Sequence, residues 1–363
     1  MKKLYLTRKF VSYNKNHAKS LHIRALKHKA WKKGVNISEL GHSPVERRQT
    51  HHRGLNNHSY KRIIAPINFS FIDNPNEVSS FIYKLKDAFN KRLKVFVWLD
   101  DVTKIDYGAI VVLLSIMIKY KSSNIDFDGG LPKNKGARKL LIQSGFFANL
   151  YKEFEMSDAY KIGEYDNEGI CTHAQKNVDS LLSSQLITNA TKTIWGETRR
   201  CQGVQRTLIE LMQNTNNHAS IGLPGEKHWW LSSYHNRKEK IVAFSFVDLG
   251  VGIFENLNNK TEKSKWYNWR TRIADRLKYG NNAELLRLIL DGSLHRTVTE
   301  SDFRGKGLPG IAQVLSRNQI QNLHIISNDA YANVSEGRYI KLDPPFDGTF
   351  VYWELTKENE NKA

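Results

Sequence analysis

Cysteine is nearly absent from this chain. Two residues among 363, Cys171 and Cys201, exclude a disulfide framework and a cysteine-rich zinc site. Long apolar runs are missing as well. The best candidate, Ala109 to Ile118 (AIVVLLSIMI), is about half the ~20 residues that a membrane-crossing helix needs, so no membrane association is expected. The N-terminus is basic but has no apolar core and no small-residue cleavage site. No secretory signal is therefore expected, and a cytoplasmic location is the default. Acids are scarce at one end only. Met1 to Arg62 holds 16 Lys and Arg against Glu39 and Glu46, a net +14 of the chain's +19, together with seven of its 13 histidines. The charge excess belongs to that arm and not to the whole protein.

Hydrophobic residues at 40% and aromatics at 11% are enough to build real cores, and the length suggests two domains. Residues 1–62 read as a basic arm, with Tyr5, Phe10, Tyr13 and Trp31 among the cations. Clustered cations with a few aromatics suit nucleic acid; an acidic protein partner or a solvated tail fits equally well. His51, His52 and His58 lack the cysteine or carboxylate partners of a zinc site.

From Ile63 the pattern changes. Ile63 to Ile72 is β-rich and interrupted by Pro66, and Asn76 to Asn90 has helical spacing. Val95 to Leu99 reads as a strand buried on both faces. It is followed by an apolar helix over Ala109 to Tyr120, a short strand at Ile125 to Asp128 and a helix ending near Ser144-Gly145. This β, α, β, α order predicts a small parallel or mixed sheet with helices packed on it. Residues 156–199 read as a linker with an edge element, helical over Asn177 to Leu186.

The order, and the run VFVWLDDVTKIDYGAIVVLL, resembles the STAS domain of anti-sigma-factor antagonists over 63–155. The serine that the family phosphorylates at the helix start is replaced here by Tyr107-Gly108-Ala109. A phosphorylation switch is thus not expected, though a helix N-terminus still offers free N–H groups to an anion.

Three later segments carry chemistry. In VQRTLIELMQNTNNHAS, Val204, Leu208, Leu211 and Met212 form one apolar stripe. Glu210, Asn214 and His218 stack on another face at four-residue spacing. An amide oxygen suits Mg²⁺ whose other ligands are phosphates, and a carboxylate suits the orientation or deprotonation of an attacking hydroxyl. The same spacing is commonplace on a solvated helix. Second, the strand Lys240 to Val247 ends in Asp248-Leu-Gly250-Val-Gly252. There an acid can accept from an exocyclic amine while the glycines allow close backbone approach; a tight capped turn explains the segment as well. Third, Arg304-Gly305-Lys306-Gly307-Leu308-Pro309-Gly310 precedes a helix at Ala312 to Arg317, an arrangement suited to an anion. A dinucleotide fold would want a strand directly before those glycines, and a polar segment stands there instead.

The blocks in this order resemble the N, G1 and G2 boxes of the GHKL (Bergerat) ATPases, to which sensor histidine kinases, anti-sigma serine kinases, type II topoisomerases and chaperone ATPases belong. Asp347-Gly348-Thr349 and the strand to Leu355 resemble that fold's last strand. The resemblance covers 200–358. It implies a two-domain α/β protein, in which a STAS-like module precedes an α/β sandwich with a mixed sheet and helices on one face. It implies ATP and Mg²⁺ as cofactors. Asp248 would read the adenine amine with Gly250, Gly252 and Thr349 beside it, Asn214 would hold Mg²⁺ next to His218, and Glu210 would act as base. Arg304, Gly305, Lys306, Gly307, Leu308 and Gly310 would form a lid over the phosphates. ELMQNTNNHA is most similar to the helix of anti-sigma-type serine kinases, which implies a serine/threonine kinase or ATPase switch with a regulatory protein partner. The sequence leaves a homodimer open. The competing expectation is an ATP-gated binding module with little catalysis. The chain continues only eight residues beyond Leu355, so the second domain of the topoisomerase-like members is not expected.

Overall fold

Pro66, which has no N–H to give a sheet, separates the first two strands, β1 (Lys61–Ile64) and β2 (Asn68–Phe69). The computed structural model describes residues 60–151, 169–173, 178–218, 229–250, 252–254, 282–291 and 307–359. Ser59–Ala363 forms one compact unit. Of the basic arm read over 1–62, residues 1–59 lie outside the described residues, and Lys61 and Arg62 belong to β1.

Helix α1 (Pro75–Asn90) starts with proline in its first turn, where a missing N–H costs nothing. It buries Val78, Phe81, Ile82, Leu85 and Ala88 along one stripe. Strand β3 (Val95–Trp98) lies between β1 and β5 (Phe127–Gly129), parallel to both. β4 (Lys104–Ile105) pairs only with β2. Helix α2 (Tyr107–Ser122) is capped by Asp106, whose carboxylate accepts the Ala109 N–H at 2.6 Å, and nearly every residue from Tyr107 to Met117 is buried. Helices α3 (Lys135–Gln143) and α4 (Phe146–Tyr151) complete this half.

Strand β3 departs from the two-faced burial expected of it. Val95 and Val97 are buried, whereas Phe96 and Trp98 on the opposite face are partly exposed. Trp98 is covered there by the Arg62 guanidinium, 3.4 Å from the ring centroid, and its indole donates to Asp101 at 2.8 Å. Three strands make a small sheet, and its helices lie on one side.

The second half is a five-stranded sheet in the order β6 (Gly169–His173), β7 (Trp229–Asn236), β8 (Ile241–Asp248), β10 (Arg338–Thr356), β9 (Gln321–Asn333). Every neighbouring pair runs antiparallel, so the mixed sheet expected from the resemblance is not what forms. Helices α5 (Ser180–Trp195), α6 (Gln202–His218), α7 (Asn282–Leu290) and α8 (Gly307–Ser316) cover one face. Their apolar stripes share a core with Val242, Phe244 and Phe246 of β8 and Val351, Trp353 and Leu355 of β10. All four residues of the stripe read on α6 (Val204, Leu208, Leu211, Met212) are buried there. Stretch 156–199 contributes more than a linker, because β6 extends the sheet and α5 runs on to Trp195 with Leu186, Ile187, Ala190 and Ile194 in the core.

Helices of the parallel-sheet half cover the other face. α1 packs along β10, and α2 packs on β7 and β8. Phe71 stacks on Phe350 with centroids 5.1 Å apart, Tyr107 stacks on Tyr234 at 4.8 Å, and Tyr331 donates to the Ile72 carbonyl at 3.3 Å. A Cβ on Gly108 would stand 2.6 Å from the Phe350 ring. With both faces covered, β8 can be apolar almost without a break (IVAFSFV). Among the described residues no helix is long and apolar enough to cross a membrane.

Candidate functional site

Helix α6 brings Glu210 against the start of α8. Arg206, one turn earlier, donates to Glu210 Oε1 at 2.7 Å. Glu210 Oε2 is buried and has no hydrogen-bond partner. A Cβ on Gly310 would lie 2.8 Å from that oxygen, so the glycine is what lets α8 approach α6 this closely. Asn214 and His218 lie one and two turns further along α6, with side chains outside the described residues. Arg304, Gly305 and Lys306 are also outside them.

The lid glycines need a correction. Gly307, Leu308 and Gly310 were expected in a loop ahead of a helix at Ala312, but α8 already begins at Gly307. Pro309 falls in the first turn, where its missing N–H has no intrahelical partner to lose. Leu308, Ile311 and Val314 then follow at three-residue spacing, with Ile311 and Val314 in the core and Leu308 packed against it. Core packing sets this boundary and overrides the poor helix propensity of glycine.

The end of β8 forms the other half of the site. Asp248 Oδ1 accepts the Gly250 N–H at 2.8 Å. Burial pushes the Asp248 carboxyl above the usual carboxylate range, while the Gly250 N–H, the Thr215 hydroxyl of α6, and the charges of Lys119 and Lys86 hold it back. Thr349 sits opposite Asp248 in the β8–β10 register and Trp229 opposite it on β7. The Thr349 hydroxyl lies 3.2 Å from that of Ser327. Ser327 in turn donates to the Gly348 carbonyl at 3.0 Å and accepts the Ile253 N–H at 2.9 Å. Asn328 accepts the Phe254 N–H at 3.2 Å.

Two glycines here are dictated by geometry. Gly252 has φ +80 and would place a Cβ 2.3 Å from Asn328 Oδ1; Gly348 has φ +123 and would place one 2.1 Å from the Asp248 carbonyl oxygen. Asp248, Gly250, Gly252 and Thr349 are thus brought together at one end of the sheet, beside α6. Thr215, Ser327, Asn328 and Trp229 join them without having been read from the sequence. Thr215 directly follows Asn214 and was within reach of a helix-face argument. Ser327 and Asn328 required the β9–β10 register, which no local pattern encodes.

One expectation is removed outright. The start of α2 cannot receive an anion through free N–H groups, because Asp106 occupies it with a carboxylate and Tyr107 and Gly108 are buried beneath β7 and β10. Among the described residues no group of three or more His, Cys, Asp or Glu side chains can hold a metal ion. Comparison with family models, with curated proteins and with solved structures finds no match to this chain.

Proposed function

We propose that the chain is an ATP-binding regulator whose nucleotide site lies at the end of β8 under α6, and that it uses the site for phosphoryl transfer to a protein hydroxyl or for slow hydrolysis. The observation that carries this reading is the meeting of Asp248, Gly250, Gly252 and Thr349 at one place, in the arrangement that the resemblance to GHKL ATPases implies. A structural turn accounts for the Gly250 bond. It does not account for a largely buried carboxylate beside the Thr215 hydroxyl, with Gly252 and Gly348 packed so closely that neither has room for a Cβ.

The residues present fit the group. Close backbone approach at Gly250 and Gly252 suits a planar base, and Asp248 has an acceptor oxygen to offer an exocyclic amine. Glu210 Oε2, buried and unpartnered, is the kind of orphaned acceptor that a ligand proton satisfies. Asn214 would hold Mg²⁺ together with phosphate oxygens, and the ion would supply charge neutralisation and polarisation of the γ-phosphoryl group. Glu210 would take the proton of the attacking hydroxyl or water. Arg206 holds its other oxygen and so fixes the carboxylate's orientation. The N-terminus of α8 would favour negative charge near it.

The test is transfer from γ-labelled ATP with Mg²⁺, using the wild-type chain, Glu210→Ala and Asp248→Asn, with and without cell extract. Label that reaches protein and is lost in both variants supports the kinase form of this reading. Free phosphate alone supports the ATPase form. Binding without transfer leaves an ATP-gated binding module, and no ATP binding sinks the nucleotide site altogether.

A further inference from the structure

We propose that Lys86, on α1 of the parallel-sheet half, is a positioning residue for the nucleotide site, fixing the Asp347–Gly348 turn and through it the fit of Thr349 against Asp248. This rests on the nucleotide reading above. The Lys86 side chain is only 17% exposed. Its ammonium donates to the Asp347 carbonyl at 2.7 Å, stands 3.6 Å from the Asp347 carboxylate, and lies 5.2 Å from the centroid of the Phe346 ring. The Asp347 carboxylate is 65% exposed, so the ion pair is screened and contributes little. The bond to the carbonyl is the one that matters.

That carbonyl belongs to the residue before Gly348, whose backbone rests on the Asp248 carbonyl with no room for a Cβ. Thr349 follows, and Ser327 ties Gly348 and Thr349 to the Ile253 N–H beyond the two glycines. An ammonium on α1 is therefore connected, through one turn of β10, to Ser327 of β9 and to the 252–254 segment beside Asp248. No other α1 side chain reaches this turn by a hydrogen bond among the described residues. Burial drives the Lys86 pKa down to about 8, against the opposing pull of Asp347 on β10 and Asp248 on β8 and in concert with Lys119 on α2. The contact is accordingly made by a lysine that titrates just above neutral pH.

Lys86→Met keeps the apolar stem over Phe346 and removes the ammonium; Lys84→Met, exposed on the same helix, is the control. ATP affinity, urea midpoint and amide hydrogen exchange are read on the full chain at pH 7 and pH 9. For Lys86→Met the expected result is ATP binding about tenfold weaker, the size expected for loss of one charge-assisted hydrogen bond. Exchange should be faster at Gly348–Phe350 and Gly250, with a urea midpoint equal to or above that of the wild type. Wild-type affinity should fall between pH 7 and pH 9, and that of Lys86→Met should not. Equal affinity and exchange in wild type and Lys86→Met overturns the role of Lys86 while leaving the nucleotide site standing. Failure of the wild-type chain to bind ATP overturns both, and is told apart by its appearing without any substitution.

Discussion

Two glycines with positive φ offer a controlled comparison. Gly348 has φ +123, and a Cβ there would meet the Asp248 carbonyl oxygen at 2.1 Å, the Leu249 Cα at 3.0 Å and the Asp248 carbonyl carbon at 3.1 Å. Gly337 has φ +66 and nothing within 4 Å. Alanine at Gly337 pays only the left-handed backbone cost, about 1–2 kcal/mol, less about 0.4–1 kcal/mol returned by a stiffer unfolded chain. The net destabilisation is small. Alanine at Gly348 meets a backbone conformation costing about 1–3 kcal/mol and must also push β8 and β10 apart by nearly an ångström. All three contacts are backbone, so no rotamer can relieve them, and overpacking of this kind adds about 1–3 kcal/mol. Net of the unfolded-state gain, Gly348→Ala should destabilise by about 1–5.5 kcal/mol, a large share of the ~5–15 kcal/mol typical of a folded protein. Urea denaturation of the two variants beside wild type, with slopes checked for equality, measures the difference directly. Midpoints implying that the two agree within about 0.5 kcal/mol would refute the close approach of β10 to β8 at Asp248, and with it the geometry on which the site is built.

Three other outcomes follow from the same contacts. Burial lowers the pKa of both His235 and His324 from 6.5 to about 4, so the unfolded chain takes up protons below pH 6.5 that the folded one refuses. Stability is held above that pH and lost as it falls toward 4, by at most about 3 kcal/mol per histidine. Urea midpoints across pH 7 to 4.5 should drop, and less steeply in His324→Phe; a flat profile would contradict the neutral burial of both rings. Gly310→Ala should destabilise the wild-type chain, because its Cβ meets Glu210 Oε2 at 2.8 Å. In a Glu210→Ala background the same change should recover up to about 1 kcal/mol of helix propensity, and additive effects in the double variant would refute the contact. Gly108→Ala drives a methyl into the Phe350 ring and should cost about 1–3 kcal/mol, read as a lower midpoint of a single urea transition.

Local chemistry made much of this fold legible. Asp106 at an N-cap, Pro75 in a first turn and the spacing of Val204, Leu208, Leu211 and Met212 each encode an element through neighbours within a few residues. What failed was non-local. Whether β3 is covered on one face or two depends on where α1 and α2 come to rest, which Val95–Trp98 alone cannot express. Gly307 and Gly310 look like loop residues by propensity, yet Ile311 and Val314 draw them into a helix by packing on a core supplied by strands β7 to β10 and helices α5 to α7. In the site, Asp248, Gly250 and Gly252 were picked out by residue type at a strand end, Glu210 by its four-residue spacing from Asn214, and Thr349 by the resemblance. Ser327, Asn328 and Lys86 could not be, because each acts through a partner at least 70 positions away: Ile253, Phe254 and Asp347.

The packing of the two halves bears on how such a site can work. Had the parallel-sheet half been joined only by a flexible linker, its state would reach Asp248 only through transient docking, as between separate domains with small polar interfaces. Instead Phe71, Tyr107 and Gly108 are buried against β7 and β10, and removing that surface would expose the rings of Phe346 and Phe350 to water. Burial of one such ring is worth about 1.5–3 kcal/mol, so exposing both on separation of the halves would cost roughly 3–6 kcal/mol. α1 is thus held along β10 within one packed unit, and its hydrogen bond to the turn beside Asp248 is the one from Lys86 to the Asp347 carbonyl.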